Sequence, residues 1–293
     1  MVQETRDAAG ADSTGAVLEV RDLAVDYRRR DGGAVRAVSG IDLTIGPGRC
    51  LGLVGESGSG KSTIGKAVLG MVPVAQGSVV FDGVDVTRAR PRERRTIAGD
   101  LQVVFQDPYS SLDPSLPVAA ILAEPLTVAG TSRREASVRV GEALDAVGLP
   151  RDATHRYAHE FSGGQRQRIA IARALVRRPR LIVCDEAVSA LDPTTQVQIV
   201  DLLTELQRET DVSYLFISHD LNVIRRMCHD VAVLYRGALV EVGDVEQVTE
   251  RPAHPYTQTL LLASPVADPA AQRERRDAWR AARAGLVSQK DQK

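Results

Sequence analysis

The chain of 293 residues contains few aromatic side chains and few cysteines. Aromatic residues make up only 4% of the composition, so aliphatic side chains must fill the hydrophobic core. The cysteines Cys50, Cys184 and Cys228 lie far apart and form no C-x-x-C pair. This pattern disfavours a disulfide framework and a thiolate metal site, and it fits a reducing compartment.

A long apolar run is also lacking. The most apolar stretch, Leu116–Gly130, is interrupted by Pro117, Glu124 and Pro125. It falls short of the roughly 20 apolar residues that a transmembrane helix needs. Residues 1–16 are polar and lack the apolar centre of a secretory signal, so we expect a disordered N-terminal arm.

Neither charge is in excess: the chain has 37 basic and 38 acidic residues, and its formal net charge is −1. Two arginine-rich runs, at residues 88–95 and 273–283, have little interleaved aromatic character. A solvated or membrane-proximal face is therefore favoured over contact with nucleic acid. With 43% apolar and 26% charged residues, the composition is that of a globular protein, and we predict no nucleic-acid partner.

Strand-like and helical segments alternate along the chain. The first hundred residues are mainly strand-like, with an Asp82-Gly83 hairpin signal, and residues 106–160 are mainly helical. From there to about residue 250, short apolar runs such as Leu181–Cys184 and Tyr214–Ile217 alternate with helical patterns. This alternation predicts an α/β fold with a parallel sheet.

Capping residues and apolar spacing predict two helices. Ser132 and Glu135 have the spacing of a capping box ahead of Val138, Leu144 and Val147. The later helix Thr194–Thr210 is predicted to bury one face. That face consists of Val197, Val200, Leu203 and Leu206.

A glycine-rich segment, GESGSGKS, follows the apolar run Cys50–Val54 and precedes a helical pattern. Glycines allow consecutive backbone N–H groups to surround a phosphate, and the helix N-terminus adds a favourable dipole. Lys61 would contact phosphate oxygens and Ser62 would ligate Mg²⁺. The predicted nucleotide-contacting residues of this loop are Gly55, Ser57, Gly58, Ser59, Gly60, Lys61, Ser62 and Thr63.

Two acidic residues, Asp185 and Glu186, follow a strand-like apolar run. Mg²⁺ bound through a hydroxyl and phosphates needs a carboxylate, and a strand end holds one rigidly. We therefore predict that Asp185 serves the metal and that Glu186 orients or deprotonates the attacking water. By itself the pair would fit an ordinary turn, and the phosphate loop favours the catalytic interpretation.

The segment Ser162-Gly163-Gly164-Gln165 begins another helix with capping-box spacing. Helix capping alone is one explanation. However, two glycines in the first turn reduce helix stability, which suggests that another group approaches the backbone there.

The phosphate loop, Asp185-Glu186 and Phe161–Gln165 together resemble the ATP-binding subunit of an ABC transporter, over roughly residues 17–265. The resemblance implies a P-loop NTPase (RecA-like) core with an N-terminal antiparallel β subdomain and an inserted α-helical subdomain. The expected divisions are 17–105 for the β subdomain and phosphate-loop part, 106–160 for the helical subdomain, 161–250 for the remaining core and 251–293 for a C-terminal extension.

The same resemblance implies ATP and Mg²⁺ as cofactors and further site residues. Gln106 resembles the glutamine-loop residue that contacts Mg²⁺, and His219 resembles the switch histidine at the terminal phosphate. Asp192 belongs to a dimer-contact loop, and Tyr27 would stack on adenine. Residues Ser162–Gln165 would face the nucleotide of an opposite subunit, so that two cassettes close head to tail on ATP.

Residues Phe105–Pro114 and His254–Thr257 resemble the importer ATPases for dipeptides, oligopeptides and nickel, and Tyr109 indicates the F-type subunit. Implied partners are two transmembrane permease subunits, a second, D-type ATPase subunit and an extracytoplasmic solute-binding protein. The implied location is the cytoplasmic face of the cell membrane. An exporter ATPase and a soluble ABC regulator of translation or DNA repair remain alternatives. The tail Trp279–Lys293 is short and lacks cysteine.

Overall fold

The computed structural model describes residues 15–28, 32–107 and 111–263. Several sequence predictions fall outside these residues. They concern most of the N-terminal arm, the F-type marker Tyr109, the arginine run at 273–283 and the tail Trp279–Lys293.

The described strands form an antiparallel sheet and a mainly parallel one. The strands are β1 (Leu18–Arg28), β2 (Ala34–Ile45), β3 (Cys50–Val54), β4 (Gln76–Phe81), β5 (Val84–Asp85), β6 (Leu101–Phe105), β7 (Leu181–Asp185), β8 (Ser213–Ile217), β9 (Asp230–Tyr235) and β10 (Ala238–Asp244). The antiparallel sheet has the order β2-β1-β4-β5, and the other sheet has the order β10-β9-β3-β8-β7-β6.

The described α-helices are α1 (Lys61–Val68), α2 (Pro91–Ile97), α3 (Val118–Val128), α4 (Arg133–Ala146), α5 (Gly163–Leu175), α6 (Pro193–Thr210), α7 (Leu221–Met227), α8 (Val245–Glu250) and α9 (Pro255–Ala263). Short 3₁₀ helices cover Arg151–His155 and Ala158–Glu160. Among the described residues, no helix has both the length and the apolar character needed to cross a membrane.

The predicted strand and hairpin positions are confirmed. Asp82 and Gly83 both have positive φ angles, 51° and 75°, and join β4 to β5 in a tight antiparallel turn. Pairing of β3 with β8 and β9, and of β7 with β6 and β8, is parallel, whereas β10 runs antiparallel to β9. The predicted α/β class and the N-terminal antiparallel sheet are therefore correct.

The larger sheet is buried on both faces, and alternate residues of its strands point to opposite faces. Leu181, Val183 and Leu215 join a cluster with the antiparallel sheet and α1. Ile182 and Phe216 join a second cluster formed with α3 to α8. The central strands are continuous apolar runs because both of their faces are covered.

The predicted subdomain boundaries remain predictions.

One residue assigned to a buried helix face, Val197, was predicted wrongly. Val138 is 55% exposed on α4, and Val197 is 43% exposed on α6. The α-helix has 3.6 residues per turn, so the six-residue step from Val138 to the buried Leu144 leads to a different face. In α6, each three-residue step falls about 60° short of a full turn. Two such steps separate Val197 from the buried Leu203, so the two side chains point about 120° apart.

Leu144 and Val138 provide a matched test of this helix orientation. We expect Leu144→Ala to lower the free energy of unfolding by about 2–5 kcal/mol, because Leu144 is fully buried and truncation leaves a cavity. Val138→Ala should change it by no more than about 0.5 kcal/mol. Urea unfolding monitored by circular dichroism measures both values, and equal destabilisation by the two variants would contradict the orientation of α4.

Candidate active site

The topology of the larger sheet brings remote segments of the chain to one edge. The strands β3, β8, β7 and β6 are adjacent and mutually parallel, so their carboxyl ends share that edge. The glycine-rich loop follows β3 and His219 lies just after β8. Asp185 and Glu186 lie at the end of β7, and Gln106 follows β6. In open α/β sheets, ligands bind at the carboxyl ends of the strands.

Gly60 is required at the junction between the loop and α1. It caps α1 in the left-handed region with φ 109°. A Cβ atom there would lie 2.5 Å from Val38 Cγ1 and 2.9 Å from the Ala37 carbonyl oxygen. The backbone turn and the close approach of β2 both exclude a larger side chain.

A cleft of about 190 Å³ lies over the start of α1. Of the predicted site residues, those that line it are Ser57, Gly58, Gly60, Lys61, Ser62, Thr63 and Glu186. Ala37 of β2 also lines the cleft, although the sequence analysis gave it no role. Nothing in its residue type could have indicated this position, because it depends on how β2 packs beside the loop.

Lys61 is buried within the loop, with only 4% of its surface exposed. Its Nζ donates to the carbonyl oxygens of Gly55 at 2.8 Å and Glu56 at 2.9 Å. Burial lowers the pKa of Lys61, and the carboxylates of Glu186 and Asp185 oppose this shift. A buried ammonium group held in this way provides a fixed positive charge for an anionic ligand.

Ser62 and Asp185 are brought together although they are distant in sequence. The Ser62 hydroxyl donates to Asp185 Oδ1 at 2.8 Å. A hydroxyl beside a carboxylate is an all-oxygen donor set, which is the chemistry that Mg²⁺ prefers. Gln106, the third predicted metal residue, is exposed just after β6 and does not line the cleft.

Glu186 is held in a strained backbone conformation with φ 52°. Its N–H donates to the Ile217 carbonyl oxygen at 3.0 Å, and its own carbonyl accepts from the backbone N–H and the hydroxyl of Ser189. The Glu186 carboxylate lies 3.8 Å from His219 Nδ1, and 24% of its side chain is exposed. The predicted pair of catalytic residues is thus assembled beside the phosphate loop.

Two more predicted residues, Tyr27 and Thr63, also approach each other. The Tyr27 hydroxyl lies 3.5 Å from Thr63 Oγ1, and Tyr27 is 39% exposed. Ser59, by contrast, is buried, and its hydroxyl has no hydrogen-bond partner among the described residues.

The segment Ser162–Gln165 does not line this cleft. Its predicted capping box is confirmed: the Gln165 N–H donates to Ser162 Oγ at 3.4 Å, and the Ser162 N–H donates to Gln165 Oε1 at 3.0 Å. Neither glycine has a positive φ. A Cβ at Gly164 would lie 2.5 Å from Thr195 Cγ2. One at Gly163 would meet, in the part of the chain that the structure describes, only Leu191 Cδ2 at 3.8 Å.

Asp192 caps the N-terminus of α6. Its carboxylate accepts from the Thr195 N–H at 3.0 Å and from the Thr195 hydroxyl at 2.6 Å. These hydrogen bonds lower the pKa of Asp192. Residues 186–195 therefore connect the turn at Glu186 to the tip of α5, where Thr195 faces Gly164.

One contact with the phosphate loop was not anticipated. The Glu56 N–H donates to the hydroxyl of Tyr256, in α9, at 3.0 Å. Tyr256 belongs to the His254–Thr257 segment, whose residues carry the resemblance to importer ATPases. The tyrosine in that motif was visible in the sequence. Its contact with Glu56 spans 200 residues, so residue spacing could not have indicated it.

Comparison with protein families gives two matches. The family described as "ABC transporter" matches residues 38–189, and the one described as "Oligopeptide/dipeptide transporter, C-terminal region" matches residues 240–285. The second range includes Tyr256.

Similar curated proteins carry names of peptide-transport components. The chain is 49% identical over 274 residues to the oligopeptide transport ATP-binding protein OppD of Mycobacterium tuberculosis, covering 91% of this chain and 45% of that protein. It is 47% identical over 260 residues to the glutathione import ATP-binding protein GsiA of Pectobacterium atrosepticum, covering 86% and 42%. The chain spans less than half the length of these relatives.

Solved structures with a similar fold include two cassettes. CbiO1 from Clostridium perfringens, described as part of the ABC transporter complex cbiONQ, has a TM-score of 0.73 and 28% identity, covering 81% of this chain and 92% of that one. The dimeric ATP-binding cassette MJ0796 bound to ADP and Pi has a TM-score of 0.69 and 27% identity, covering 78% and 98%. The predicted P-loop NTPase fold is confirmed by these matches.

The two glycines at the tip of α5 should respond differently to alanine. We expect Gly163→Ala to raise the free energy of unfolding by about 0.5 kcal/mol, because the site has room for a methyl group and alanine favours the helix. Gly164→Ala should lower it by about 1 kcal/mol, because Thr195 must move. Urea unfolding measures the difference, and identical stabilities would contradict the packing between α5 and α6.

Proposed function

This chain belongs to the ABC transporter family, and we propose that it is the ATP-binding and ATP-hydrolysing subunit of a membrane importer. The observation that carries the proposal is the assembly of Lys61, the Ser62–Asp185 pair and Glu186 around one cleft. Fixed positive charge, oxygen ligands for a metal and a carboxylate base are the groups that phosphoryl transfer to water requires.

Each loop residue has a distinct role in this proposal. Lys61 stabilises negative charge on the phosphate oxygens, and the glycine-rich backbone donates N–H groups to them. Ser62 and Asp185, with Gln106, would hold Mg²⁺, which supplies neutralisation of phosphate charge. The adjacent hydroxyl and carboxylate at 2.8 Å fit such a hard cation. Tyr27 would stack on the adenine.

Glu186 orients the attacking water and accepts its proton, since its carboxylate lies at the cleft and remains partly exposed. The strained φ of Glu186 supports a functional role, because such strain is retained mainly where geometry matters. His219, 3.8 Å away, would contact the terminal phosphate and keep the carboxylate in position.

The tip of α5 supports a site shared between two subunits. Packing among the described residues does not require glycine at position 163, because a Cβ there would meet only one of their atoms, at 3.8 Å. A glycine that reduces helix stability without an internal steric reason suggests an external group near the backbone. We assign that group to the nucleotide of an opposing cassette, approached by Ser162–Gln165 and by the loop containing Asp192.

Transport of peptides is supported by the match of residues 240–285 to the oligopeptide/dipeptide transporter C-terminal region and by the names of the relatives. The proposed solutes are dipeptides, oligopeptides or related molecules such as glutathione or nickel complexes. The proposed partners are two permease subunits and an extracytoplasmic solute-binding protein, at the cytoplasmic face of the membrane. This C-terminal match favours an importer over an exporter or a soluble regulator.

The type of ATPase subunit remains a prediction. The F-type assignment depends on Tyr109, which lies outside the described residues, and it implies a D-type sister subunit. One of the curated relatives carries the D-type name. Co-purification with permeases and a second ATPase chain distinguishes a heteromeric from a homodimeric assembly.

Glu186→Gln tests the proposed catalytic role. We expect kcat for ATP hydrolysis to fall at least about 100-fold, because the amide cannot accept a proton, while ATP affinity stays within about threefold of wild type. The ATP-bound variant should also accumulate as a dimer in size-exclusion chromatography. A steady-state phosphate-release assay and titration with a fluorescent ATP analogue measure the two constants.

Two variants serve as controls for this measurement. Glu205→Gln makes the same chemical change on the exposed face of α6 and should leave kcat unchanged. Lys61→Ala should weaken nucleotide binding instead of leaving it intact. Full hydrolysis by Glu186→Gln would show that another group acts as the base.

Transport itself can be measured in proteoliposomes. With its permeases and binding protein, the chain should drive ATP-dependent uptake of labelled dipeptides or oligopeptides, and Glu186→Gln should abolish it. The importer assignment would be overturned by two results together. The proteoliposomes would take up no peptide, glutathione or nickel complex, and they would show ATP-dependent efflux.

A further inference from the structure

Tyr256 in α9 connects the C-terminal part of the chain to the phosphate loop. Its hydroxyl accepts a hydrogen bond from the Glu56 N–H at 3.0 Å. Only 3% of Tyr256 is exposed, and burial raises the pKa of its phenol. The contact is therefore a buried hydrogen bond to the backbone of the loop that begins the nucleotide site.

The position of Tyr256 is determined by several contacts. Its N–H donates to His254 Nδ1 at 3.2 Å, just before Pro255 begins α9. The Glu241 carboxylate on β10 accepts from the His254 N–H at 3.1 Å. The Tyr256 ring packs against Tyr235 at the end of β9, with ring centroids 4.1 Å apart. These contacts fix the position of the Tyr256 hydroxyl beside the loop.

The backbone of Glu56 is hydrogen-bonded at both its N–H and its carbonyl oxygen. Tyr256 accepts from its N–H, and its carbonyl oxygen accepts from the Ser59 N–H at 3.1 Å and from Lys61 Nζ at 2.9 Å. Phosphate oxygens would compete for the ammonium protons of Lys61. The Glu56 N–H is not among the groups predicted to contact nucleotide, so its bond to Tyr256 can persist when nucleotide binds.

A glycine-rich loop loses conformational entropy when it orders around a ligand, and this cost weakens binding. A fixed anchor at Glu56 reduces the cost because it limits the loop before the ligand arrives. We propose that Tyr256 is a positioning residue that preorganises the phosphate loop. The proposal rests on the proposed function only in taking ATP as the ligand.

Coupling between two sites is reciprocal. If Tyr256 favours the nucleotide-ready loop, then nucleotide binding stabilises the position of Tyr256 and of α9. The segment that matches the oligopeptide/dipeptide transporter C-terminal region would thereby respond to the nucleotide state of the cassette.

Tyr256→Phe in the full chain removes the hydroxyl and keeps the ring. Tyr235→Phe is the matched control, because among the described residues no hydrogen bond joins the Tyr235 hydroxyl to another group. We expect Tyr256→Phe to raise the KM for ATP and the Kd for ADP about 2- to 10-fold, with kcat within about twofold of the control. The nucleotide-free unfolding temperature should stay within about 3 °C of the control.

A purely structural role would give the opposite pattern, with a lower unfolding temperature and an unchanged KM. Values of KM and Kd equal to those of Tyr235→Phe would therefore overturn the proposal.

Hydrogen exchange tests the same inference without nucleotide. In Tyr256→Phe the amides of residues 56–60 should exchange at least about 5-fold faster than in Tyr235→Phe. Equal exchange overturns the proposal even if the chain proves not to hydrolyse ATP. Failure of wild type to bind ATP would instead refute the proposed function, while loop exchange still decides the role of Tyr256. In wild type, ADP should slow amide exchange in residues 256–263, and Tyr256→Phe should lose this protection.

Discussion

Parallel pairing of the four adjacent strands β3, β8, β7 and β6 is the constraint on which the site depends. Parallel strands cannot be joined by short turns, so each is followed by a long connection that returns the chain to the opposite end of the sheet. Consequently, segments distant in sequence end at one edge. The Ser62–Asp185 hydrogen bond and the approach of Glu186 to His219 are direct results of this arrangement.

The site also reflects a compromise between charge and burial. Lys61 is almost fully buried, which is costly for an ammonium group unless polar partners surround it. The carbonyl oxygens of Gly55 and Glu56 provide these partners at 2.8 and 2.9 Å. The loop must therefore keep its shape for the charge to be tolerated, and the bond from Glu56 to Tyr256 holds it from outside. The hydrogen bonds that stabilise the loop therefore also hold Lys61 in position for an anion.

Much of the fold could be predicted because the relevant signals are local. Apolar runs predicted the strands β3, β7 and β8, and the cap at Ser162 followed from residue type and spacing. Helix faces were predicted less well. Val197 was assigned to a buried face but is exposed, because small errors in angular spacing add up along a helix. The position of the neighbouring elements decides which face is covered.

The sequence by itself determined the chemistry of this protein: a glycine-rich loop with Lys61 and Ser62, two acids after a buried strand, and a glycine-containing helix start at Ser162. These are properties of residue type and short spacing. Only the tertiary structure decided which remote groups meet. Cys50 and Cys228 lie 178 residues apart with their sulfur atoms 3.3 Å apart, and Tyr256 reaches a loop 200 residues earlier. Such contacts depend on strand order and packing, which no local pattern encodes.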